Sequence, residues 1–224
     1  MLVNLLVLTC MAACMAAAGG CDTVAVAGES AGEQEFVNDL ATRLARASSM
    51  AYTAVYAMRG GGTGTVAHEP TMRETAYTYP TGMTLVTVAG ATVCTGGGSP
   101  TRIDTCGRSA TVAAASADVA KGGLIRSEAV IASLTASALD RDSVISEHDS
   151  TIAGTSATCV TVARGPADTD EYDACVTADG LLGSFSGDVN GVTVDITMVN
   201  FTKAVSTKAF VLPTGTPTSA SATP

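Results

Sequence analysis

From residue 33 to residue 50 the apolar positions recur at helical spacing, with Phe36, Val37, Leu40 and Leu44 on one stripe. Ser30 and Glu33 stand at the separation of a capping box, so the pattern predicts an amphipathic helix over 33–50. At Tyr52 the period drops to two. Tyr52, Ala54, Tyr56 and Met58 alternate with Thr53, Val55, Ala57 and Arg59, which predicts a strand with one face apolar apart from its phenol hydroxyls. Turn signals follow at Gly60-Gly61-Gly62, His68-Glu69-Pro70, Pro80-Thr81-Gly82 and Gly96-Gly97-Gly98-Ser99-Pro100. They divide residues 51–108 into five or six strands of an antiparallel meander. Helical spacing returns between Ser109 and Asp142, most clearly from Ser127 to Leu139, where Val130, Ile131, Leu134 and Ala138 share a side. A second block of strands occupies 144–212. The Pro/Thr/Ser/Ala tail, 213–224, is expected to be disordered.

Asp179-Gly180 and Asn190-Gly191 are two-residue hairpin signals, and together they set the register of three strands. Placing Ala178 opposite Leu181 puts Val176 opposite Gly183 and Ala174 opposite Phe185; placing Val189 opposite Val192 puts Phe185 opposite Ile196. One face then collects Tyr172, Ala174, Val176, Ala178, Leu181, Gly183, Phe185, Gly187, Val194, Ile196 and Met198. The other collects Asp173, Cys175, Thr177, Asp179, Leu182, Ser184, Ser186, Asp188, Thr193, Asp195 and Thr197. A slip of one residue would destroy this separation. Gly183 and Gly187 interrupt the apolar face, and the side chains they lack are expected to leave a groove there, covered by a helix that contributes Leu40, Leu44, Ile131 or Leu134. The bland reading is that these glycines permit curvature or close approach and that the core is full.

The length, 224 residues, suits one domain. A net charge of −9 and the lack of any Lys/Arg-rich run exclude nucleic-acid binding. Residues 110–224 carry 13 acidic and six basic side chains, with acidity gathered at Asp168, Asp170, Glu171 and Asp173. That run reads as a solvated loop and lacks the glycine and terminal glutamate of an EF-hand. No G-x-S-x-G, H-E-x-x-H or phosphate-binding loop occurs, so the chain is expected not to be an enzyme and to need no cofactor. Glu147-His148-Asp149 would alternate across a strand, and His68 falls at a turn.

Residues 1–20 carry no charge, open on a Leu/Val run and close on small residues, as an export signal does. The junction Ala18-Gly19-Gly20-Cys21 resembles the lipobox of bacterial lipoproteins, with Ala18 where that family has Leu and no Lys or Arg before the apolar run. The resemblance implies a diacylated Cys21 as mature N-terminus, followed by a tether to residue 32. An uncleaved membrane helix and an ordinary secretory signal are the competing readings, and Cys14 is a second lipidation candidate. Once Cys10, Cys14 and Cys21 are set aside, Cys94, Cys106, Cys159 and Cys175 remain, an even number that suits an oxidising compartment. Of three pairings, the register favours Cys159 with Cys175, on the polar face, and the Gly-rich turn centred on Pro100 favours Cys94 with Cys106. A zinc site is the alternative, against which stands the absence of C-x-x-C spacing.

The order helix, antiparallel strands, helix, antiparallel strands behind a lipobox resembles the LolA/LolB-like carriers and the LprG/LppX-type lipoproteins. The resemblance covers residues 33–212. It implies an α+β fold in which a strongly bent antiparallel sheet forms an open half-barrel, with the N-terminal helix and the mid-chain helical segment on its concave face. The function it implies is binding or transfer of a lipid or other hydrophobic ligand at the extracytoplasmic face of the membrane. The candidate lining residues are Tyr52, Tyr56, Met58, Val176, Gly183, Phe185, Val194, Ile196 and Met198, each of which reads equally as ordinary core. The other functional reading is a scaffolding lipoprotein that docks a protein or polymer.

Overall fold

A computed structural model of the protein describes residues 22–96, 105–163, 171–212 and 218–219. The first apolar stripe forms α1, Asp22–Arg46, and one 3-10 turn, Ala47–Ser49, follows it. Val37, Leu40 and Leu44 are buried, as the helical spacing requires. The helix starts eleven residues before the expected Glu33, so part of the expected tether is helical and the Ser30/Glu33 box lies inside the helix rather than at its end. Elongation from a turn already held by packing adds a hydrogen bond for each residue fixed, which lets a helix run past the apolar stripe that anchors it. The lipidation candidates Cys21 and Cys14, and the signal itself, lie outside the described residues, as do Asp168 and Asp170.

Six strands follow: β1 Tyr52–Met58, β2 Thr63–Glu69, β3 Glu74–Tyr79, β4 Gly82–Thr87, β5 Gly90–Thr95 and β6 Thr105–Ser109. Two helices, α2 Val112–Lys121 and α3 Ser127–Leu139, lead to β7 Val144–Ile152, β8 Thr155–Ala163, β9 Tyr172–Thr177, β10 Leu182–Val189 and β11 Val192–Thr202. The strand order is β6-β5-β4-β3-β2-β1-β11-β10-β9-β8-β7, so two antiparallel meanders join where β1 pairs with β11. The result is an α+β protein with one large, open, curved sheet. In the expected disordered tail, Thr218–Ser219 adds to the β6 edge in parallel, opposite Cys106 and Gly107.

One cluster joins α1, α3 and both meanders, bringing Leu40, Leu44, Val130 and Leu134 together with Tyr56, Val160, Val176, Phe185, Val194 and Ile196. A second and smaller one, Ala67, Ala76, Met83, Leu85 and the Cys94/Cys106 pair, is covered by Val205, Ala209, Phe210 and Leu212, so the segment after β11 packs against the first meander.

The Asn190-Gly191 hairpin has the expected register, with Val189 opposite Val192 and Phe185 opposite Ile196. Both central residues have positive φ (53° and 75°), the requirement of the tight turn whose twist matches that of the strands. At Asp179-Gly180 the structure departs from expectation. Thr177, not Ala178, bonds to Leu181, and Gly180 takes φ 85°, so the loop has three residues and Val176 faces Leu182. The offset is removed at once by a bulge between Leu182 and Ser184, after which Ala174 faces Phe185 as expected. Gly183 is therefore the extra residue of the bulge and does not face Val176.

Both disulfides form as expected, Cys94–Cys106 and Cys159–Cys175, each between directly opposed residues. The face of the second is not polar throughout. Cys159, Cys175, Thr177 and Ile152 are buried. β7 approaches β11 although three strands separate them in the sheet, so the second meander curls strongly enough to enclose the hairpin end of that face.

Candidate functional site

The groove expected at the glycines is absent. A Cβ on Gly183 would lie 2.9 Å from Cδ1 of Ile152 and 3.3 Å from Cγ2 of Thr177, and one on Gly187 would lie 2.6 Å from Cβ of Tyr172. Neighbouring side chains and backbone already occupy that volume. Phe185 is fully buried and stacks on Tyr172 with ring centroids 5.9 Å apart. Val176, Val194, Ile196 and Met198 are buried in the same cluster, where the packing supports their reading as ordinary core. Tyr56 is core as well, its hydroxyl donating to the Leu182 carbonyl at 2.8 Å. Met58 fills the gaps beside Gly64 and Gly123, each of which a Cβ would close against its side chain.

A cavity of about 230 Å³ lies elsewhere, between the end of α1, the start of α3 and the first three strands. Leu44, Ala45, Ala47 and Ile131 form its aliphatic wall, and the rings of Tyr52 and Tyr77 rise from the sheet. Its polar groups are Ser48, His68, Thr75, Ser127 and Glu128. Only Tyr52 of the expected lining set is among these residues. His68, expected at a turn, lies in β2 directly opposite Tyr52 and Thr75, and the Tyr52 and His68 rings are 5.6 Å apart. Its Nδ1 is 2.8 Å from Thr75 Oγ1 and its Nε2 2.8 Å from the Ser48 carbonyl. The imidazole thereby ties the turn after α1 to the sheet.

Electrostatics at the base of the cavity follow from burial. The Tyr52 phenol is held above its usual range by burial and then by the Glu128 carboxylate, with a Ser127 hydrogen bond opposing both. Tyr77 is raised by burial, by Glu128 and by Tyr52, while Arg126 acts the other way. Arg126 is almost fully buried; its Nη1 donates to Ser116 Oγ at 3.2 Å and its Nη2 lies 3.4 Å from Glu128 Oε1. Its Nε is the buried side-chain atom without a hydrogen-bond partner among the described residues. Both phenols remain neutral at physiological pH, so they offer hydroxyl groups and ring faces and no charge.

Glu147-His148-Asp149 lies on β7 and alternates as expected, but His148 is not free of partners: its Nε2 is 3.7 Å from Asp173 Oδ2. His148 also faces Cys159 across the β7–β8 ladder.

The chain is thus an open-sheet α+β protein with a small, mostly apolar cavity under its helices. No family model matches the chain and no curated protein matches it. Among solved structures it is similar to an uncharacterized conserved protein from Thermus thermophilus, at 12% identity over 79% of this chain and 94% of that one, with a TM-score of 0.49. Among the described residues, no helix is long and apolar enough to cross a membrane.

Proposed function

We propose that the protein is a lipid-anchored, non-catalytic lipoprotein that binds a hydrophobic ligand at the extracytoplasmic face of the membrane, with α1 and α3 on the concave side of a half-barrel. The observation that carries this reading is the cavity beside Tyr52 and Tyr77. An engineered apolar cavity of about 150 Å³ stays dry and takes up benzene, whereas pockets for drug-sized ligands start near ~300 Å³. A volume of about 230 Å³ thus holds one ring or the end of one chain. The remainder of the ligand lies across the mouth, where Ser48 and Glu128 supply polar contacts. Each buried methylene contributes about 0.8 kcal/mol, and the polar groups set orientation.

The test is organic extraction of protein purified from its native host, with mass spectrometry of the extract. Wild-type protein releases a hydrophobic molecule in stoichiometric amount, and Ala45→Phe, which fills the mouth from the α1 side, releases less than a tenth as much. An extract with nothing reproducible in it overturns the proposal. The anchor is tested separately by Cys21→Ala, which moves the protein from the membrane fraction to the soluble one; continued membrane association overturns the lipidation.

A further inference from the structure

The register of the second meander lines up three residues across neighbouring strands. His148 on β7 lies opposite Cys159 on β8, and Cys159 lies opposite Cys175 on β9. Asp173, two residues before Cys175, points to the same face by the alternation of the pleat. A ligand atom of His148 and the two sulfurs all lie within 4.8 Å of one another. Asp173 bridges the row: its Oδ2 is 3.7 Å from His148 Nε2 and its Oδ1 is 3.7 Å from Cys175 Sγ. Thr161 Oγ1 donates to Asp173 Oδ2 at 2.8 Å, the kind of outer hydrogen bond that fixes a ligating carboxylate.

Two sulfurs, one imidazole nitrogen and one carboxylate oxygen are donor types that zinc takes in a tetrahedral site. In the oxidised protein the sulfurs are bonded to each other and offer no thiolate, so metal and disulfide exclude one another. Cys94–Cys106, the other bridge, belongs to no such group among the described residues.

We propose that reduction of Cys159–Cys175 converts this row into a Zn²⁺ site. A dithiol reductant supplies two electrons and two protons. The S–S bond breaks, each sulfur becomes a thiol, and the reductant leaves as its own disulfide. Zn²⁺ then displaces the two thiol protons and forms two Zn–S bonds, while His148 Nε2 and an Asp173 carboxylate oxygen complete the coordination. The β8–β9 ladder holds both backbones, so the sulfurs need only swing apart about their Cα–Cβ bonds. His148 and Asp173 are partly exposed, at 47% and 33%, and give the ion a path from solvent to the buried sulfurs.

The experiment titrates the full chain with Zn²⁺, and with Co²⁺ as a coloured substitute, before and after treatment with dithiothreitol that is removed before metal is added. The oxidised protein takes up no metal here. The reduced protein binds one Zn²⁺, and with Co²⁺ it shows thiolate-to-metal charge transfer. Cys94→Ser/Cys106→Ser retains that signal and Cys159→Ser/Cys175→Ser loses it. His148→Ala, at a partly exposed position, is expected to fold normally and to weaken binding by more than the ~10–100-fold that loss of an outer hydrogen-bond partner costs. Metal uptake that is unchanged in His148→Ala overturns the proposal, because it places the ion on other cysteines. So does a reduced chain that binds none, or one that unfolds instead of binding.

Discussion

Two regions of the same sheet invite opposite readings from their side chains. Around Gly183 and Gly187 the residues are small or missing, yet the volume is full; around Tyr52 and Tyr77 they are large, yet a cavity of about 230 Å³ remains. At the glycines the chain bulges and curls, so Ile152, Thr177 and Tyr172 move into the space that a side chain would have taken. At the tyrosines that freedom is missing. His68 must reach both Thr75 and Ser48, and Arg126 both Ser116 and Glu128. The bond from His68 to the Ser48 carbonyl fixes the spacing between the turn after α1 and the sheet, the others hold β2 to β3 and the start of α3 to α2, and the aliphatic side chains there leave the space between them unfilled. Volume is lost where polar partners hold elements apart, not where atoms are absent from the sequence.

The largest effect expected from this contrast is at Phe185. Phe185→Ala removes a fully buried ring that stacks on Tyr172, in a region already packed to contact, and is expected to cost about 3–5 kcal/mol. Denaturant unfolding measures it. A loss under ~1 kcal/mol would mean that the glycine region is loosely packed after all.

Next comes alkaline pH, which probes the buried phenols. All five tyrosines of the chain are shifted upward, with burial the leading cause in each. Tyr172 rises to about 12, its bond with Ser137 opposing the shift. An unfolded phenol loses its proton near pH ~10 while the buried one keeps it, so unfolding releases protons above that pH. The contribution is therefore complete below pH ~10 and declines as pH rises toward 12, at about 1.4 kcal/mol per pH unit for each phenol. Absorbance near 295 nm is expected to show no tyrosinate forming with an ordinary pKa while the protein stays folded. A tyrosine that titrates near 10 in the folded state would contradict the burial.

Gly187→Ala is expected to destabilise by about 1–3 kcal/mol, since the new methyl would sit 2.6 Å from Tyr172 Cβ and 3.0 Å from the Glu171 carbonyl oxygen. An unchanged or raised melting temperature would restore the groove at the glycines and reverse the contrast.

How much of this was legible beforehand depends on the range over which each feature is decided. Asn190-Gly191 carries its own backbone requirement, and the Cys159/Cys175 pair confirms the neighbouring register, so local chemistry suffices there. Asp179-Gly180 is a hairpin signal of the same class but closes a three-residue loop, and the compensating bulge falls on Gly183. A glycine at a bulge and a glycine at a gap look alike in one dimension. α3 starts and ends where the spacing placed it, whereas α1 begins well before the apolar stripe that signals it. The cavity was the least legible feature. Tyr52, His68 and Thr75 come from the first meander and Ser127 and Glu128 from the helical segment after it, and their meeting depends on packing between elements far apart in the chain. The available signal was polar: His68 lies between two short strands otherwise rich in Thr, Ala and Tyr.

The smallest stability effect is also the sharpest probe of the cavity. Ala45→Leu adds three carbons at a position on the last turn of α1 that lines the cavity, and leucine is nearly as good a helix former as alanine. If the space is open, the added atoms enter it without displacing the Tyr52 or Tyr77 rings, and unfolding free energy stays within about 0.5 kcal/mol of the parent. If the space is already closed in solution, the same substitution overpacks the contact between α1 and the sheet, with a cost of about 1–3 kcal/mol, like that expected for Gly187→Ala. Measured side by side, the two variants each add atoms beneath the same sheet. Equal costs would erase the distinction between the glycine region and the tyrosine region. A cost at Gly187 alone would locate the unfilled volume under the α1 and α3 ends.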